Sequence, residues 1–216
     1  ILRVTDGYGP IPYSQLGANG DLVAPLDTQK KVYETMLGEL DEAITGLLAH
    51  RTETFSSKAD KVYAGKVEQW IKLANSLKLR MAMRMVYVDP ATAQAKALEA
   101  IDSEKGGVLT SNADNATIQA TTNPFRVIMY EYNGGDSRIA ADITAYMNGY
   151  KDPRRDKYFT ESAFTDADGV KNGYHGIRLG TEPIPSETAH KYSNMNVAAD
   201  TKLVWMTAAE VAFLRA

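Results

Sequence analysis

The clearest pattern in the sequence is a helical period of apolar residues in the N-terminal third of the chain. From Asp27 onward, apolar side chains recur at spacings of three and four residues, which places them on one face of a helix. The residues of this face are Tyr33, Met36, Leu37, Leu40, Ala43, Ile44, Leu47 and Leu48. Polar residues fill the opposite side, and the pattern predicts a half-buried helix of about 20 residues, roughly 30 Å long.

A second periodic stretch follows the turn signal at residues 62–65 and continues to about Met85. Its apolar residues lie on two sides, so we expect this helix to pack between two neighbours. A third helix is predicted to begin at Pro90 with Asp89 as its N-cap, because Asp and Pro are favoured at those two positions. It should reach Ile101, shortly before two glycines.

Two other parts of the chain lack this period. Residues 1–26 are rich in Gly, Pro, Asn and Ser, and we predict an extended entry loop. Residues 104–205 are also rich in turn formers, and we predict one clear helix there, at about 137–148 with Asp136 as its N-cap. Short alternating runs that could pair as strands lie at residues 116–122, 174–179 and 202–206.

The predicted organisation is a single domain with a helical part and a loop-rich part. Residues 27–103 form a helical scaffold, and residues 104–205 form a loop-rich region that displays ligand-binding groups, because recognition residues are commonly carried on loops. At residues 206–216 a scaffold helix returns, opened by a capping box between Thr207 and Glu210. The chain begins without Met and stops within this helix, so we expect it to be truncated at both ends.

Composition excludes several classes of function. The chain has 24 Lys and Arg against 27 Asp and Glu, a net charge of −3, whereas nucleic-acid binders usually carry a clearly basic face. Without any cysteine, the chain contains no disulfide, thiolate metal site or cysteine nucleophile. No apolar run approaches the roughly 18 residues of a membrane-spanning helix. Glycine-rich phosphate loops and the hydrolase elbow motif are also missing, and no cofactor is expected.

Metal ligands are sparse in the sequence. His50, His175 and His190 are far apart and show none of the spacings that direct two imidazoles at one zinc ion. Asp166 and Asp168 lie in the segment DADGVKNG, which resembles part of a calcium loop but lacks the closing Glu. A turn that carries two solvated carboxylates explains the same residues, so calcium is a weak candidate and no other metal site is predicted.

Tyrosine is the residue type of the loop-rich region that best suits ligand binding. Its ring offers an apolar face to a sugar, and its hydroxyl can donate a hydrogen bond. The candidate ligand-binding residues are Tyr130, Tyr132, Tyr174 and Tyr192. Simple packing is the alternative for all of them, and for Tyr146, on the predicted helix, packing is the expectation.

Several segments together resemble a known family. They are GPIPY at 9–13, LDEAITGL at 40–47, YAGKVEQWIKLANSLKLRMAMR at 63–84, DPR at 152–154 and MTAAEVAFLRA at 206–216. In this order they are similar to the SusD/RagB family of nutrient-binding outer-membrane lipoproteins. The third and fifth segments are the most specific. In the fourth, Arg154 is expected to make a bidentate ion pair with a structural role.

The resemblance implies a mainly α fold, in which a tetratricopeptide-like scaffold of helix pairs carries a long loop-rich region and a few short strands. It also implies a non-catalytic protein that is lipid-anchored in the outer membrane at the cell surface. Such proteins bind a glycan, or in some branches a peptide, and act as a lid on a TonB-dependent, SusC-like transporter. The anchoring cysteine would lie outside these residues, and no motif assigns the family's sugar-binding aromatic residues to positions in this chain.

Three functions are therefore compared. The first is a non-catalytic cell-surface protein that captures an oligosaccharide and delivers it to a transporter. The second is a glycoside hydrolase on a helical scaffold, since the separation of two catalytic carboxylates is set by folding and not by sequence spacing. The third is a scaffold whose helical face binds another protein, without a small-ligand site.

Overall fold

The computed structural model describes residues 1–18, 20, 23–119, 121–135, 137–165 and 173–216. The described helices are α1 (Leu2–Tyr8), α2 (Gln29–Ala49), α3 (Val67–Met85), α4 (Pro90–Ile101), α5 (Pro124–Tyr130), α6 (Ala141–Gly149), α7 (Arg155–Tyr158), α8 (Ser186–Ala189) and α9 (Ala208–Arg215). Strands β1 (Ala116–Ile118) and β2 (Leu203–Met206) pair with each other. The fold is mainly α, as predicted. The chain divides into a first unit, Ile1–Ile118 with Val204–Ala216, and a second unit, Gln119–Leu203.

The scaffold of the first unit is the set of helices that the apolar period predicted. Helix α3 packs between α2 and α4 and also contacts α9, which confirms that it has neighbours on two sides. Its residues Ile71, Leu79 and Met81 are buried in the core. The N-cap of α4 is also confirmed, because a carboxylate oxygen of Asp89 accepts a hydrogen bond from Thr92 N at 3.1 Å. Helix pairs of this kind make the scaffold tetratricopeptide-like.

A buried lysine links the three scaffold helices. Lys78 on α3 is 1% exposed, and its Nζ lies 2.6 Å from Asp41 Oδ1 on α2 and 3.3 Å from Glu99 Oε1 on α4. Burial raises the pKa of Glu99, but the charge of Lys78 and hydrogen bonds from Lys105 and Lys96 outweigh it, so the net pKa is lowered. An unpaired charge would be costly in this position, and the two neighbouring helices supply the carboxylates that pair with it.

Asp60 fixes the loop that leads into α3. This carboxylate is 6% exposed and accepts hydrogen bonds from the backbone N–H groups of Val62, Tyr63 and Gly65, at 2.9, 3.2 and 2.7 Å. Its fourth donor is Trp70 Nε1, at 2.9 Å. Burial raises the pKa of Asp60, yet these four donors outweigh burial and lower it. Residue 65 must be glycine, because its φ is +85° and a Cβ at this position would lie 2.0 Å from the carbonyl oxygen of residue 55.

Asp114 holds the turn that precedes β1 in the same way. It is 4% exposed and accepts hydrogen bonds from the backbone N–H groups of Thr110 and Ser111, both at 3.0 Å. Lys72 Nζ on α3 lies 3.1 Å from its other oxygen. Burial raises the pKa of Asp114, but the hydrogen bonds dominate and hold it well below the usual range.

These two carboxylates predict a loss of stability in acid. Because each has a lower pKa in the folded chain than the ~3.9 of an unperturbed Asp, the unfolded state binds more protons at low pH. Their contribution is therefore complete above about pH 5 and is lost as the pH falls below ~4, by more than about 2 kcal/mol at pH 2. Urea denaturation followed by circular dichroism at pH 7, 5, 4, 3 and 2 measures this change in the free energy of unfolding. An unchanged free energy of unfolding between pH 5 and pH 2 would contradict the assignment.

The N-terminal segment departs from its prediction. Residues 1–26 were expected to be extended, but α1 forms within them, because tertiary contacts hold a short sequence that has little helical preference of its own. Thr5 is fully buried. Asp6 accepts hydrogen bonds from Tyr33 Oη at 2.7 Å and from Gln29 Nε2 at 3.2 Å, and it also pairs with the guanidinium of Arg84.

The last helix begins as predicted but uses only half of its predicted capping box. Thr207 Oγ1 accepts a hydrogen bond from Glu210 N at 3.2 Å. The carboxylate of Glu210 instead accepts two hydrogen bonds from Arg80 on α3, at 2.6 and 2.7 Å. This bidentate ion pair joins α9 to the scaffold.

The second unit is more helical than predicted, because α5, α7 and α8 accompany α6. The predicted start of α6, at about residue 137, was also wrong. Ile139 and Ala140 are not helical, since Ile177 N donates to Ile139 O at 2.8 Å and Ala141 N donates to Ile177 O at 2.7 Å. The N-cap is therefore Ala140, and Asp136 lies outside the described residues. Within the part of the chain that the structure covers, no helix is both long enough and apolar enough to cross a bilayer.

Candidate ligand-binding site

Three of the four predicted tyrosines line two cavities in the second unit. The Tyr174 cavity has a volume of about 370 Å³, and the Tyr130 cavity about 340 Å³. Tyr192 lines both. The other residues of the Tyr174 cavity are Ala141, Thr144, Ala145, Asn148, Phe164, His175 and Gly176. Those of the Tyr130 cavity are Met129, Gly134, Gly135, Arg138, Thr160, Glu161, Ala163, His190 and Asn194.

Tyr192 is held between the two cavities by its neighbours. Its backbone N–H donates to Ala189 O at the end of α8, at 3.1 Å. The adjacent Ser193 donates its N–H to His175 O at 2.8 Å, and its hydroxyl accepts from His175 N at 3.0 Å. The ring of Tyr192 meets that of Phe164 edge to face, with centroids 4.7 Å apart. Backbone and ring contacts therefore fix the aromatic face that Tyr192 presents.

Tyr130 is partly committed to internal contacts. Its hydroxyl donates to Met195 O at 2.6 Å. The guanidinium of Arg126, one turn earlier on α5, lies 3.7 Å from the ring centroid, a cation–π contact that covers one ring face. Asn123 caps this helix by accepting from Phe125 N at 2.9 Å. Tyr130 can therefore offer only its second face to a ligand in the cavity.

Tyr174 is positioned by a polar chain on α6 and α7. Asn148 Nδ2 donates to Tyr174 O at 2.7 Å, and Arg155 Nη1 donates to Asn148 Oδ1 at 3.1 Å. Arg155 also lies 5.7 Å from the centre of the Tyr174 ring, and the ring of Phe159 lies 6.2 Å away. These contacts orient one aromatic wall of the Tyr174 cavity.

Tyr132 is separate from the other three. It lies in a single 3-10 turn, Tyr132–Gly134, is 63% exposed and lines neither cavity. The chain reverses here through Gly135, whose φ of +74° and approach to Tyr130 O leave no room for a Cβ. The structure thus brings together Tyr130, Tyr174 and Tyr192 around two cavities and leaves Tyr132 outside them.

The polar groups of the cavities were not identified from sequence. Glu161 and His190 line the Tyr130 cavity, and Asn148 lines the Tyr174 cavity. The guanidinium of Arg138 is engaged by backbone carbonyls, among them Ala189 O at 3.0 Å. Thr144 Oγ1 accepts from Gly176 N at 2.9 Å. None of these residues belongs to a motif, because long-range folding brings them together.

The predicted ion pair in the Asp-Pro-Arg segment is confirmed. Arg154 donates from Nε to Asp152 Oδ1 at 3.0 Å and from Nη2 to Asp152 Oδ2 at 2.6 Å. These hydrogen bonds lower the pKa of Asp152 to about 2. Asp152 is therefore ionised at neutral pH and unsuited to act as a general acid.

The calcium candidates, Asp166 and Asp168, lie outside the described residues, and calcium binding stays a prediction. Among the residues with described positions, no three His, Asp or Glu side chains converge on a common metal position.

A larger cavity, of about 770 Å³, lies in the first unit between α1, α2, α3 and α4. Its lining includes Asp6, Tyr33 and Arg84, whose polar groups already pair with one another. None of the candidate tyrosines lines it. We take the smaller cavities of the second unit as the candidate site, because Tyr130, Tyr174, Tyr192 and Phe164 line them and aromatic side chains can stack on a ligand.

Comparison with known proteins identifies a family whose model matches this chain. The family model "SusD-like: Susd and RagB outer membrane lipoprotein" matches residues 1–216. A SusD homologue from Bacteroides thetaiotaomicron VPI-5482 is 44% identical, with a TM-score of 0.86 over 99% of this chain and 43% of its own. A chitin-binding SusD homologue from Flavobacterium johnsoniae is 35% identical, with a TM-score of 0.86 over 99% of this chain and 44% of its own.

A third solved structure, a SusD homologue from Bacteroides ovatus ATCC 8483, is 42% identical, with a TM-score of 0.87 over 99% of this chain and 44% of its own. The chain thus spans less than half the length of the solved relatives that it matches. Among curated proteins, none matches the chain.

Proposed function

The chain belongs to the SusD/RagB family of outer membrane lipoproteins, and we propose that it is part of a non-catalytic protein that binds a glycan at the cell surface. The observation that carries the proposal is the position of Tyr192, which presents one aromatic side chain to two adjacent cavities. An oligosaccharide has apolar ring faces and hydroxyl edges, and this combination matches aromatic walls with a few polar groups.

The cavity residues supply both kinds of contact. Sugar rings would stack on Tyr192, on Tyr174 and on the uncovered face of Tyr130. Glu161 and His190 would exchange hydrogen bonds with hydroxyl groups. Because each such bond contributes only about 1 kcal/mol net, we expect weak affinity, in the micromolar to millimolar range. The chitin-binding relative makes β-1,4-linked N-acetylglucosamine the first ligand to test.

One feature of the cavities favours binding over hydrolysis. Glu161 is the single carboxylate among the described residues that line either cavity. Glycoside hydrolases usually need two carboxyl groups, about 5 or 6.5–9.5 Å apart. Among the residues that the structure describes, Glu161 can hold a sugar by hydrogen bonds, and no second carboxylate lines either cavity to complete an acid and base pair.

The full role that we propose is delivery of the glycan to a TonB-dependent, SusC-like transporter, with the protein held at the outer membrane by a lipid anchor. Family membership supports this role. Co-purification of the protein with such a transporter from solubilised outer membranes tests it, and repeated failure to recover the transporter would count against it.

Glycan binding is tested directly by affinity gels that contain chitin derivatives, starch or other polysaccharides, and by calorimetry with the matching oligosaccharides. We expect retention on at least one polysaccharide without release of reducing sugar. Release of reducing sugar would establish the hydrolase instead. A protein that no polysaccharide retains, but that still binds a transporter, would favour the protein-interaction scaffold.

A further inference from the structure

The hydroxyl of Thr144, a residue that lines the Tyr174 cavity, is engaged within the protein. It donates to Ala141 O at 3.0 Å, and it accepts from Gly176 N at 2.9 Å. Thr144 is 2% exposed, and its hydroxyl has a single hydrogen to donate. A sugar hydroxyl in this cavity therefore finds no donor on Thr144.

The amide of Asn148 is engaged at both of its ends. Its Nδ2 donates to Tyr174 O at 2.7 Å, and its Oδ1 accepts from Arg155 Nη1 at 3.1 Å. The backbone of His175 is also paired, because its N–H donates to Ser193 Oγ at 3.0 Å and its carbonyl accepts from Ser193 N at 2.8 Å. The fold thus uses these polar groups of the cavity for its own structure.

The rest of the described lining of the Tyr174 cavity is mostly apolar. It consists of Ala141, Ala145, Phe164, Gly176, the rings of Tyr174 and Tyr192, and the imidazole of His175. That imidazole meets the ring of Phe164 edge to face, with centroids 5.9 Å apart. Where side chains are described, no Asp, Glu, Lys or Arg lines this cavity, whereas Glu161 and His190 line the Tyr130 cavity. The two cavities therefore suit different parts of a ligand, an apolar substituent and sugar hydroxyls.

We propose that the Tyr174 cavity receives the N-acetyl group of an acetamido sugar, and that the protein thereby selects N-acetylated glycans over glycans that carry only hydroxyl groups. This inference rests on the proposed function and names the substrate class of the same site. The cavity volume of about 370 Å³ is at the small end for ligand sites and suits one sugar residue with its substituent. Tyr174 and Tyr192 carry hydroxyls that can pair with the N–H and C=O of the acetamido group.

The selectivity follows from what each substituent loses or gains on leaving water. A hydroxyl that enters a site whose polar groups are already paired gives up hydrogen bonds to water without replacing them. The methyl of an acetyl group gains by the same transfer, because burial removes its apolar surface from water. A single methylene in a hydrophobic pocket changes selectivity by about 10–200-fold. We therefore expect a preference of at least about tenfold for the acetamido sugar.

Charge gives a competing expectation that the test has to separate. A protonated amino sugar is a cation, and the carboxylate of Glu161 in the Tyr130 cavity attracts it. The guanidinium of Arg138 lines the same cavity and opposes this attraction, and it is held there by a hydrogen bond to Ala189 O at 3.0 Å. The acetamido group is neutral, so a preference for it comes from the apolar cavity and not from charge.

Three trisaccharides test the inference on the wild-type protein, because they share a β-1,4-linked gluco backbone and differ only at C2. Chitotriose carries an acetamido group there, cellotriose a hydroxyl, and the chitosan trimer an amino group. Calorimetry at pH 6 should give a Kd for chitotriose at least about tenfold lower than that for cellotriose, with the chitosan trimer no tighter than cellotriose. In saturation-transfer NMR, the acetyl methyl protons of chitotriose should receive the strongest saturation.

Filling each cavity in turn shows which of them binds the acetyl group. Ala145→Leu places a larger apolar side chain in the Tyr174 cavity and keeps the helix propensity of α6. It should reduce the preference for chitotriose over cellotriose to about twofold or less. Ala163→Leu is the matched control in the Tyr130 cavity, and it should keep the wild-type preference even where it weakens both affinities. Thermal midpoints close to that of the wild type show that both variants fold.

Three results would overturn the inference and leave glycan binding intact. Wild-type Kd values for chitotriose and cellotriose within twofold of each other, or weak saturation of the acetyl methyl, would show that the acetyl group is not recognised. Tightest binding of the chitosan trimer would assign the selectivity to charge. A preference lost in Ala163→Leu but kept in Ala145→Leu would place the acetyl group in the Tyr130 cavity. A wild-type protein that binds no glycan at all contradicts the proposed function itself, and the inference fails with it.

Discussion

Replacing Asp60 with alanine is expected to lower the free energy of unfolding by about 3 kcal/mol or more, because each buried donor left without a partner costs ~1–3 kcal/mol. The change removes the acceptor for three backbone N–H groups and for Trp70 Nε1. Water can reach only part of this site, since Asp60 is 6% exposed. Urea denaturation at pH 7 measures the change, and the denaturant slope should stay constant if only stability is affected.

Two comparisons make this prediction specific. Glu42→Ala changes an exposed carboxylate on α2 in the same unit, and its effect should stay within about 0.5 kcal/mol. The Asp60→Ala variant should also lose less stability in acid than the wild type, because one of the carboxyls whose pKa is lowered in the folded chain is gone. If Asp60→Ala costs less than about 1 kcal/mol, the four donors have found other partners and the structural role is wrong.

The scaffold was predictable because its signals are local. Helices α2, α3 and α4 each carry an apolar face with a period of 3.6 residues, and α4 has a capping sequence besides. Helix α1 has no such signal. It depends on contacts between Asp6 and three residues that lie 23 to 78 positions further along the chain, and propensity rules do not describe contacts of that range.

The partners and burial of charged residues in the scaffold were the features least predictable from the sequence. A lysine in the middle of α3 gives no sign that it will be fully buried, yet Lys78 is, because Asp41 and Glu99 neutralise it from two other helices. Glu210 has a strong local signal for a capping box, but its carboxylate pairs with Arg80, 130 residues away. In both cases a partner distant in sequence decides the role.

The candidate site was only partly predictable for the same reason. Composition identified tyrosine as the suitable residue type, but it could not distinguish Tyr192, which lines both cavities, from Tyr132, which lines neither. Phe164, which orients Tyr192, precedes it by 28 residues with no motif between them. The helical pattern placed Tyr146 on a packed face, but Tyr146 is 70% exposed, and the buried residues of α6 are Thr144 and Met147.

Replacing Tyr192 with alanine is expected to weaken glycan binding at least thirtyfold, about 2 kcal/mol, because it removes an aromatic wall from both cavities at once. Calorimetry with the oligosaccharide that the wild type binds measures the loss. Tyr192→Phe should weaken binding about fivefold or less, since it deletes a single hydroxyl and keeps the ring. The thermal midpoint of both variants should stay close to that of the wild type, because Tyr192 is only partly buried.

Tyr132→Ala is the matched control, because Tyr132 is an exposed tyrosine of the same unit that lines neither cavity. Its affinity should stay within twofold of the wild type. A Tyr192→Ala protein that binds as tightly as the wild type would place the glycan elsewhere, and so would a Tyr132→Ala protein with the larger loss. If Tyr192→Phe loses as much as Tyr192→Ala, the hydroxyl and not the ring is the main contact, because stacking would survive the loss of a hydroxyl.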